Sequence, residues 1–83
     1  MTKSLHSPTY RRLTELLVHA RQKSGLTQQQ VADGLQTTQS YIAKVEGGER
    51  RIDVVEFIEL ARVLGVGPSA LLKKLELAFP AQK

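Results

Sequence analysis

Helix-capping residues and glycines divide this chain of 83 residues into short segments, and this punctuation constrains its fold more than any other feature. A helix commonly begins where Ser, Thr or Asp accepts a hydrogen bond from the first turn, and it commonly ends at a glycine. Helix starts are predicted at Ser7-Pro8, Thr27, Thr37-Thr38, Asp53 and Gly67-Pro68. Helix ends are predicted at Gly25, Gly47-Gly48, Gly65 and Pro80. No alternating strand pattern competes, so the sequence predicts five short helices.

Apolar residues recur at helical spacing inside each of these segments. Thr27 with Gln30 and Asp53 with Glu56 form capping boxes at two of the helix starts. The fourth segment carries the longest apolar stripe: Val54, Phe57, Ile58, Ala61 and Leu64. The other residues at this spacing are Tyr10, Leu13, Leu16, Leu17, Ala20, Val31, Ala32, Leu35, Ile42 and Val45, and the last segment carries Leu71, Leu72 and Leu75. We therefore predict an all-α five-helix bundle that forms a single domain over residues 1–83, with a core at about residues 8–76.

Composition argues against several classes of function. The absence of cysteine rules out disulfide bonds, thiolate metal sites and a cysteine nucleophile. His6 and His19 have no second ligand at metal-binding spacing, and no motif of an enzyme nucleophile or a phosphate loop is present. No apolar stretch is long enough to span a membrane, and the first residues lack the apolar core of a signal peptide. We expect a cytoplasmic protein that is not an enzyme and that binds no metal, cofactor or small molecule.

The charge is distributed unevenly along the chain. Residues 1–51 contain eight basic and four acidic side chains, so the whole net charge of +4 lies there. Residues 52–83 contain four of each sign and are neutral. A basic half joined to a neutral half is consistent with one surface facing a polyanion such as nucleic acid, or with a solvated basic surface.

The second and third predicted helices are separated by only three or four residues, which makes them meet at a steep angle. Ala32 is expected at their closest approach. The third helix then turns Gln39, Ser40, Ala43 and Lys44 outward, with Tyr41 at the edge. Gln, Ser and Lys side chains can pair with base edges in the major groove, although such a face also occurs on solvated helices. The capped partner helix and the basic half favour the base-reading interpretation.

These residues belong to a longer pattern that resembles a known family. The pattern consists of the run GLTQQQVA at residues 25–32, then Leu35, Thr38, Ile42, Val45-Glu46, Gly48 and the stretch to Leu64-Gly65-Val66. It resembles the Xre-type helix-turn-helix family of phage Cro proteins and repressors over about residues 10–75. The resemblance implies a five-helix DNA-binding domain whose third helix, starting here at Thr38, enters the major groove.

The resemblance also implies roles for individual residues. Gln28 would contact backbone phosphate and steady the neighbouring Gln39, and Gln39, Ser40 and Lys44 would contact bases. Tyr41 would contact the backbone or thymine methyl groups. Since the resemblance places the third helix in a major groove, it implies that the partner is double-stranded DNA.

Further contacts implied by the resemblance are to phosphate. Arg50 and Arg51 lie in the loop that approaches the DNA backbone in this family. The helix N-termini at Thr27 and Thr38 would offer backbone N–H groups to phosphate.

Two features bear on the orientation of the third helix. Arg21 and Glu46 match a family pair that bridges the first and third helices, and we expect this pair to be structural. The turn before the third helix usually carries a glycine, but here the position is Gln36, with Gly34 two residues earlier. Either Gln36 adopts a left-handed conformation at some cost, or the second helix ends early at Gly34.

The last segment is more apolar than one short helix can bury. Its apolar residues are Leu71, Leu72, Leu75, Leu77, Ala78 and Phe79. Some of them close the core, and the surplus indicates a partner surface. We expect a homodimer with Leu75, Leu77 and Phe79 in the interface, because one recognition helix reads too few bases to be specific.

The sequence thus predicts a homodimeric transcriptional repressor that reads an inverted-repeat operator. Residues 41–46 also resemble restriction–modification controller proteins, and a toxin–antitoxin antitoxin would have the same fold. A protein-interaction module that has lost DNA binding is the alternative from a different class.

Overall fold

A computed structural model of the chain describes residues 7–79, which form five α-helices and no strand. The helices are α1 (Pro8–Ser24), α2 (Gln28–Leu35), α3 (Gln39–Glu46), α4 (Val54–Val63) and α5 (Pro68–Ala78). This architecture confirms the predicted all-α five-helix bundle. None of the helices in this range has the length and apolarity needed to cross a membrane. His6 and Pro80 lie outside the described residues.

Local hydrogen bonds account for the positions of the helix starts. Ser7, Thr27, Thr38 and Asp53 each accept a hydrogen bond from the backbone N–H three residues later. Both predicted capping boxes are formed, because Gln30 and Glu56 accept in return from the backbone N–H of their capping residues. Each cap satisfies a backbone donor that the helix itself leaves unpaired.

The core lies where all five helices meet. Leu17, Val31, Ile42 and Val45 are its largest fully buried side chains. Twelve buried residues from α1 to α5 form one continuous apolar cluster, with Leu13, Leu35 and Leu75 packed half-buried against it. The short helices α2 and α3 are therefore held by tertiary packing rather than by their own length.

The predicted apolar stripe of α4 is wrong at its first residue. Val54 is 72% exposed, whereas Leu60, which the prediction omitted, is 6% exposed. At 100° per residue the buried face of α4 is centred between Phe57, Leu60 and Leu64. Val54 lies at the edge of that face and is the first residue of α4, where no helix of residues 7–79 covers it. Leu72 of α5, one of the surplus apolar residues of the last segment, is 48% exposed.

Gln36 takes the left-handed conformation, with φ 59° and ψ 43°, and α2 continues through Gly34 to Leu35. The first of the two predicted alternatives is therefore the observed one. Gly34 has a different task, because a Cβ atom at this position would lie 3.0 Å from Cγ1 of Val63. The glycine lets α4 pack against the last turn of α2. The backbone N–H of Thr37 then bonds to the carbonyl of Ala32 at 2.9 Å and closes the turn.

Candidate nucleic-acid interface

The two sides of α3 differ in chemistry. Ile42 and Val45 are 1% and 0% exposed and fix the helix against the core. The polar residues predicted to contact DNA from this helix and its cap are exposed, and they are Thr38, Gln39, Ser40 and Lys44. Gln39, Ser40 and Lys44 were expected on the outward face of this helix, and they are exposed there. Ala43, also expected on that face, is half-buried, as is Tyr41, which was expected at its edge.

A two-pronged ion pair joins the end of α3 to α1. Arg21 Nε donates to Glu46 Oε2 at 2.6 Å, and Arg21 Nη2 donates to Glu46 Oε1 at 3.1 Å. The remaining guanidinium nitrogen, Nη1, donates to the carbonyl of Leu26 at 2.9 Å. Both side chains are mostly buried, with 15% and 11% of their surfaces exposed. This contact is the one that the family resemblance implied, and such a pair restrains the orientation of α3 relative to α1.

Gln28 connects this ion pair to the outer surface of α3. Its Nε2 donates to Glu46 Oε1 at 2.8 Å, and its Oε1 accepts from Gln39 Nε2 at 2.6 Å. The contact between Gln28 and Gln39 is the one that the family resemblance implied. The bond between Gln28 and Glu46 was not predicted. The two residues are 18 positions apart, on different helices, and no local spacing indicates the contact.

Arg50 lies in the loop between α3 and α4, and three groups hold it there. Its backbone N–H bonds to the carbonyl of Lys44 at 3.1 Å. Its guanidinium lies 5.1 Å from the centre of the Tyr41 ring and pairs with Glu56 at 3.3 Å.

Burial raises the pKa of the Tyr41 phenol above its ordinary value of 10.0, and the charge of Glu56 raises it further. Tyr41 is therefore a neutral hydroxyl at pH 7.

Arg51 is positioned differently from Arg50 although the two are adjacent. Its guanidinium lies 4.5 Å from the centre of the Tyr10 ring on α1. The Tyr10 hydroxyl in turn accepts a hydrogen bond from the backbone N–H of Ile52 at 3.2 Å. The loop is thus tied to α1 on one side and to α3 and α4 on the other, with both arginines exposed.

The surface predicted for dimerisation contains residues of unequal exposure. Leu77 and Phe79 are 70% and 41% exposed, whereas Leu75 is half-buried against the core of its own chain. Leu75 and Ile52 line the same shallow cleft, so the end of α5 lies beside the segment that leads into α4.

Two further exposed apolar residues follow that segment and were missed by the sequence prediction. Val54 and Val55 are 72% and 63% exposed. The exposure of Val55 could have been found from the sequence, because this residue lies outside the apolar stripe of α4. Val54 follows Ile52, which lines the cleft with Leu75, by two residues.

Within residues 7–79, no group of His, Cys, Asp or Glu side chains is arranged to hold a metal ion. His19 is exposed on α1, at the rim of a cleft between α1 and α5 that is also lined by Lys23, Leu71 and Lys74.

Comparison with known proteins gives a consistent picture. The sequence model of a family described as helix-turn-helix matches residues 17–71. An XRE-family-like protein from Pseudomonas syringae pv. tomato has a similar structure, with a TM-score of 0.86 and 43% identity over 93% of this chain and 94% of that one. The restriction–modification controller protein C.AhdI from Aeromonas hydrophila has a TM-score of 0.69 and 29% identity over 75% of this chain and 90% of that one.

A more distant structure shares the fold alone. The clp gene regulator ClgR from C. glutamicum has a TM-score of 0.77 and 17% identity, over 93% of this chain and 100% of that one. No curated protein sequence matches significantly. The match over residues 17–71 and the identity to the Pseudomonas protein establish that this chain belongs to the Xre-type helix-turn-helix family of DNA-binding regulators.

Proposed function

We propose that this protein is a homodimeric transcriptional repressor that reads the major groove of an operator with α3. The observation that carries the proposal is the pairing of an exposed polar face on α3 with the restraint of that helix by Arg21 and Glu46. Sequence reading needs side chains held in a fixed geometry, because a misplaced donor or acceptor loses its base partner.

The proposed base contacts come from three side chains. Gln39 offers the donor and acceptor pair that matches adenine, Lys44 offers a donor to guanine, and Ser40 can pair with either base. Each is exposed on α3. Tyr41, half-buried at the margin, would contact the backbone or a thymine methyl group.

The proposed phosphate contacts surround the base contacts. Gln28 and the N-terminus of α3 at Thr38 would contact the DNA backbone on one side, and Arg50 and Arg51 would contact it from the loop before α4. α3 begins directly after Thr38, and the backbone N–H groups of its first turn point out of the open end of the helix, which is a favourable position for an anion. Affinity would then come largely from phosphate neutralisation and would fall steeply with salt.

The second copy of the chain would pack on the apolar end formed by Leu75, Leu77 and Phe79. Val54 and Val55 are exposed, follow closely on Ile52, which lines a cleft with Leu75, and would enlarge the interface. A two-fold dimer would place its recognition helices about 34 Å apart, one turn of B-DNA, and would therefore select an inverted repeat. Repression would follow from competition with polymerase at the operator, in the cytoplasm.

A second candidate is a restriction–modification controller protein. The observation that favours it is the similarity to C.AhdI, at 29% identity over 90% of that chain. This candidate uses the same DNA surface and differs in the genes under control. A neighbouring endonuclease gene would favour it, and a neighbouring toxin gene would favour an antitoxin.

Selection of bound duplexes from a random DNA library, followed by sequencing, tests the proposal. An inverted repeat with half-sites about one helical turn apart is the expected result. Recovery of background sequences alone, with binding that disappears as salt rises, would mean that the fold is used for another purpose. The protein-interaction module would then be the remaining candidate.

A further inference from the structure

Four side chains form a continuous hydrogen-bonded chain from α1 to the outer surface of α3. Arg21 donates twice to the Glu46 carboxylate, Gln28 donates to the same carboxylate, and Gln39 donates to Gln28. The distances from Gln28 Nε2 to Glu46 Oε1 and from Gln39 Nε2 to Gln28 Oε1 are 2.8 and 2.6 Å. Only the last member, Gln39, is fully on the exposed surface.

The direction of these hydrogen bonds follows from the chemistry of Glu46. A carboxylate can only accept hydrogen bonds, whereas an amide side chain has a donor end and an acceptor end. Gln28 must therefore turn its NH2 group toward Glu46, which leaves its carbonyl oxygen facing Gln39. Gln39 must in turn direct its NH2 group at that oxygen, because the opposite orientation would place two carbonyl oxygens against each other.

This hydrogen bond determines which donor and acceptor groups of Gln39 remain available to a base. One N–H of its amide is used by Gln28, so the side chain retains one donor and one acceptor in a fixed order. An unrestrained glutamine could turn its amide by 180° and exchange the two, which would blur its choice between base edges.

We propose that Glu46 is a positioning residue for sequence reading, which sets the amide orientation of Gln39 through Gln28 without contacting DNA. This inference rests on the proposed function, in which Gln39 contacts a base. Glu46 therefore has two effects: it restrains the position of α3 through Arg21, and it selects the order of donor and acceptor at the recognition surface through Gln28.

The substitution Glu46→Gln changes the hydrogen-bonding ability of the side chain at position 46 but hardly its shape, so it tests the amide orientation of Gln28 and Gln39. Glutamine has nearly the same size as glutamate, but its amide can either donate or accept, so the direction of the chain is no longer imposed. We expect discrimination between the preferred base and the other three, at the position read by Gln39, to fall by roughly threefold to tenfold. Binding to random duplex should change little. Competition binding is measured at a temperature where circular dichroism shows both proteins folded.

A double-substitution cycle distinguishes positioning from a general loss of structure. In a Gln39→Ala background there is no amide left to orient, so Glu46→Gln should have no further effect on base discrimination. If Glu46→Gln lowered discrimination by the same factor with and without Gln39, or left it unchanged in the wild-type background, the proposal would be wrong.

A measurement on the free protein separates this inference from the proposed function. Hydrogen exchange of the side-chain NH2 groups, followed by NMR, should show slow exchange at Gln28 and Gln39 and faster exchange at both in Glu46→Gln. If the wild-type protein selected no DNA sequence, the proposed function would fail, and this readout would still decide whether Glu46 orients the two amides. Equal exchange rates in the two proteins would show that Glu46 does not orient the two amides, and the proposal would be wrong.

Discussion

Gly34 in α2 faces Val63 in α4 so closely that a Cβ atom on the glycine would lie 3.0 Å from Val63 Cγ1. α2, the helix that packs against α3, can therefore approach α4 closely because Gly34 has no side chain. Valine has little freedom to move aside, because its branched side chain has one strongly preferred rotamer in a helix.

This contact makes the effect of Gly34→Ala depend on residue 63. Alanine in a helix interior gains about 1 kcal/mol over glycine, whereas overpacking costs about 1–3 kcal/mol. We expect Gly34→Ala to lower the free energy of unfolding by about 1 kcal/mol in the wild-type protein. In a Val63→Ala background the same substitution should raise it, because the obstructing methyl groups are gone. Urea unfolding measures both values, and an equal effect in the two backgrounds would show that the contact is unimportant.

The ion pair between Arg21 and Glu46 gives a prediction for stability. Glu46→Ala leaves the mostly buried guanidinium of Arg21 without its carboxylate and should destabilise the fold by about 1–3 kcal/mol. For a domain of this size, each kcal/mol lowers Tm by about 4–8 °C. Glu49→Ala, which removes an exposed carboxylate three residues away, is the matched control and should change stability by less than about 0.5 kcal/mol. The same Tm for Glu46→Ala and wild type would show that the ion pair between Arg21 and Glu46 does not stabilise the fold.

Arg50 is expected to act on affinity rather than on sequence choice. Arg50→Ala should weaken binding to the selected operator and to random duplex by the same factor, and it should reduce the salt dependence by about one phosphate contact. Arg62→Ala removes an exposed charge from the last turn of α4, outside the proposed DNA surface, and serves as the control. Fluorescence anisotropy over a series of salt concentrations gives both quantities. A change in sequence preference in Arg50→Ala would contradict the assignment to phosphate.

The exposed apolar end of α5 leads to a prediction about assembly. Replacing both Leu77 and Phe79 with serine should convert the proposed dimer into a monomer in multi-angle light scattering, because it removes apolar area from the proposed interface. Lys73→Ser, an exposed substitution on the same helix, should leave the mass unchanged. If the Leu77 and Phe79 double variant remained a dimer, the interface would lie elsewhere.

The sequence predicted the fold well because its signals are local. A capping box such as Thr27 with Gln30 needs only residues three positions apart, and the helix begins where this spacing indicates. Gln36 was ambiguous because non-glycine residues reach the left-handed region only when surrounding structure holds them there. In the structure Gln36 is left-handed, and the backbone N–H groups of Gln36 and Thr37 close the turn on the carbonyls of Asp33 and Ala32.

The candidate site was predictable only in part, for the same reason. The outward face of α3 follows from helical periodicity, so Gln39 and Lys44 could be placed on it. The contact between Gln28 and Glu46 depends on how α2 and α3 cross, and no periodicity encodes that angle. Val54 was misassigned because its burial depends on where α4 begins relative to its neighbours, not on its place in an apolar stripe.

The central claim, that side chains of α3 read individual bases, is tested most directly by repeating the library selection with Gln39→Ala and with Lys44→Ala. Each lost contact should cost about 1–3 kcal/mol on the preferred sequence and should remove the preference at one symmetric pair of positions in the repeat. The rest of the recovered repeat should be unchanged, and the two variants should affect different positions. Recovery of the full wild-type repeat by both variants, or a uniform loss of preference at every position, would contradict the account.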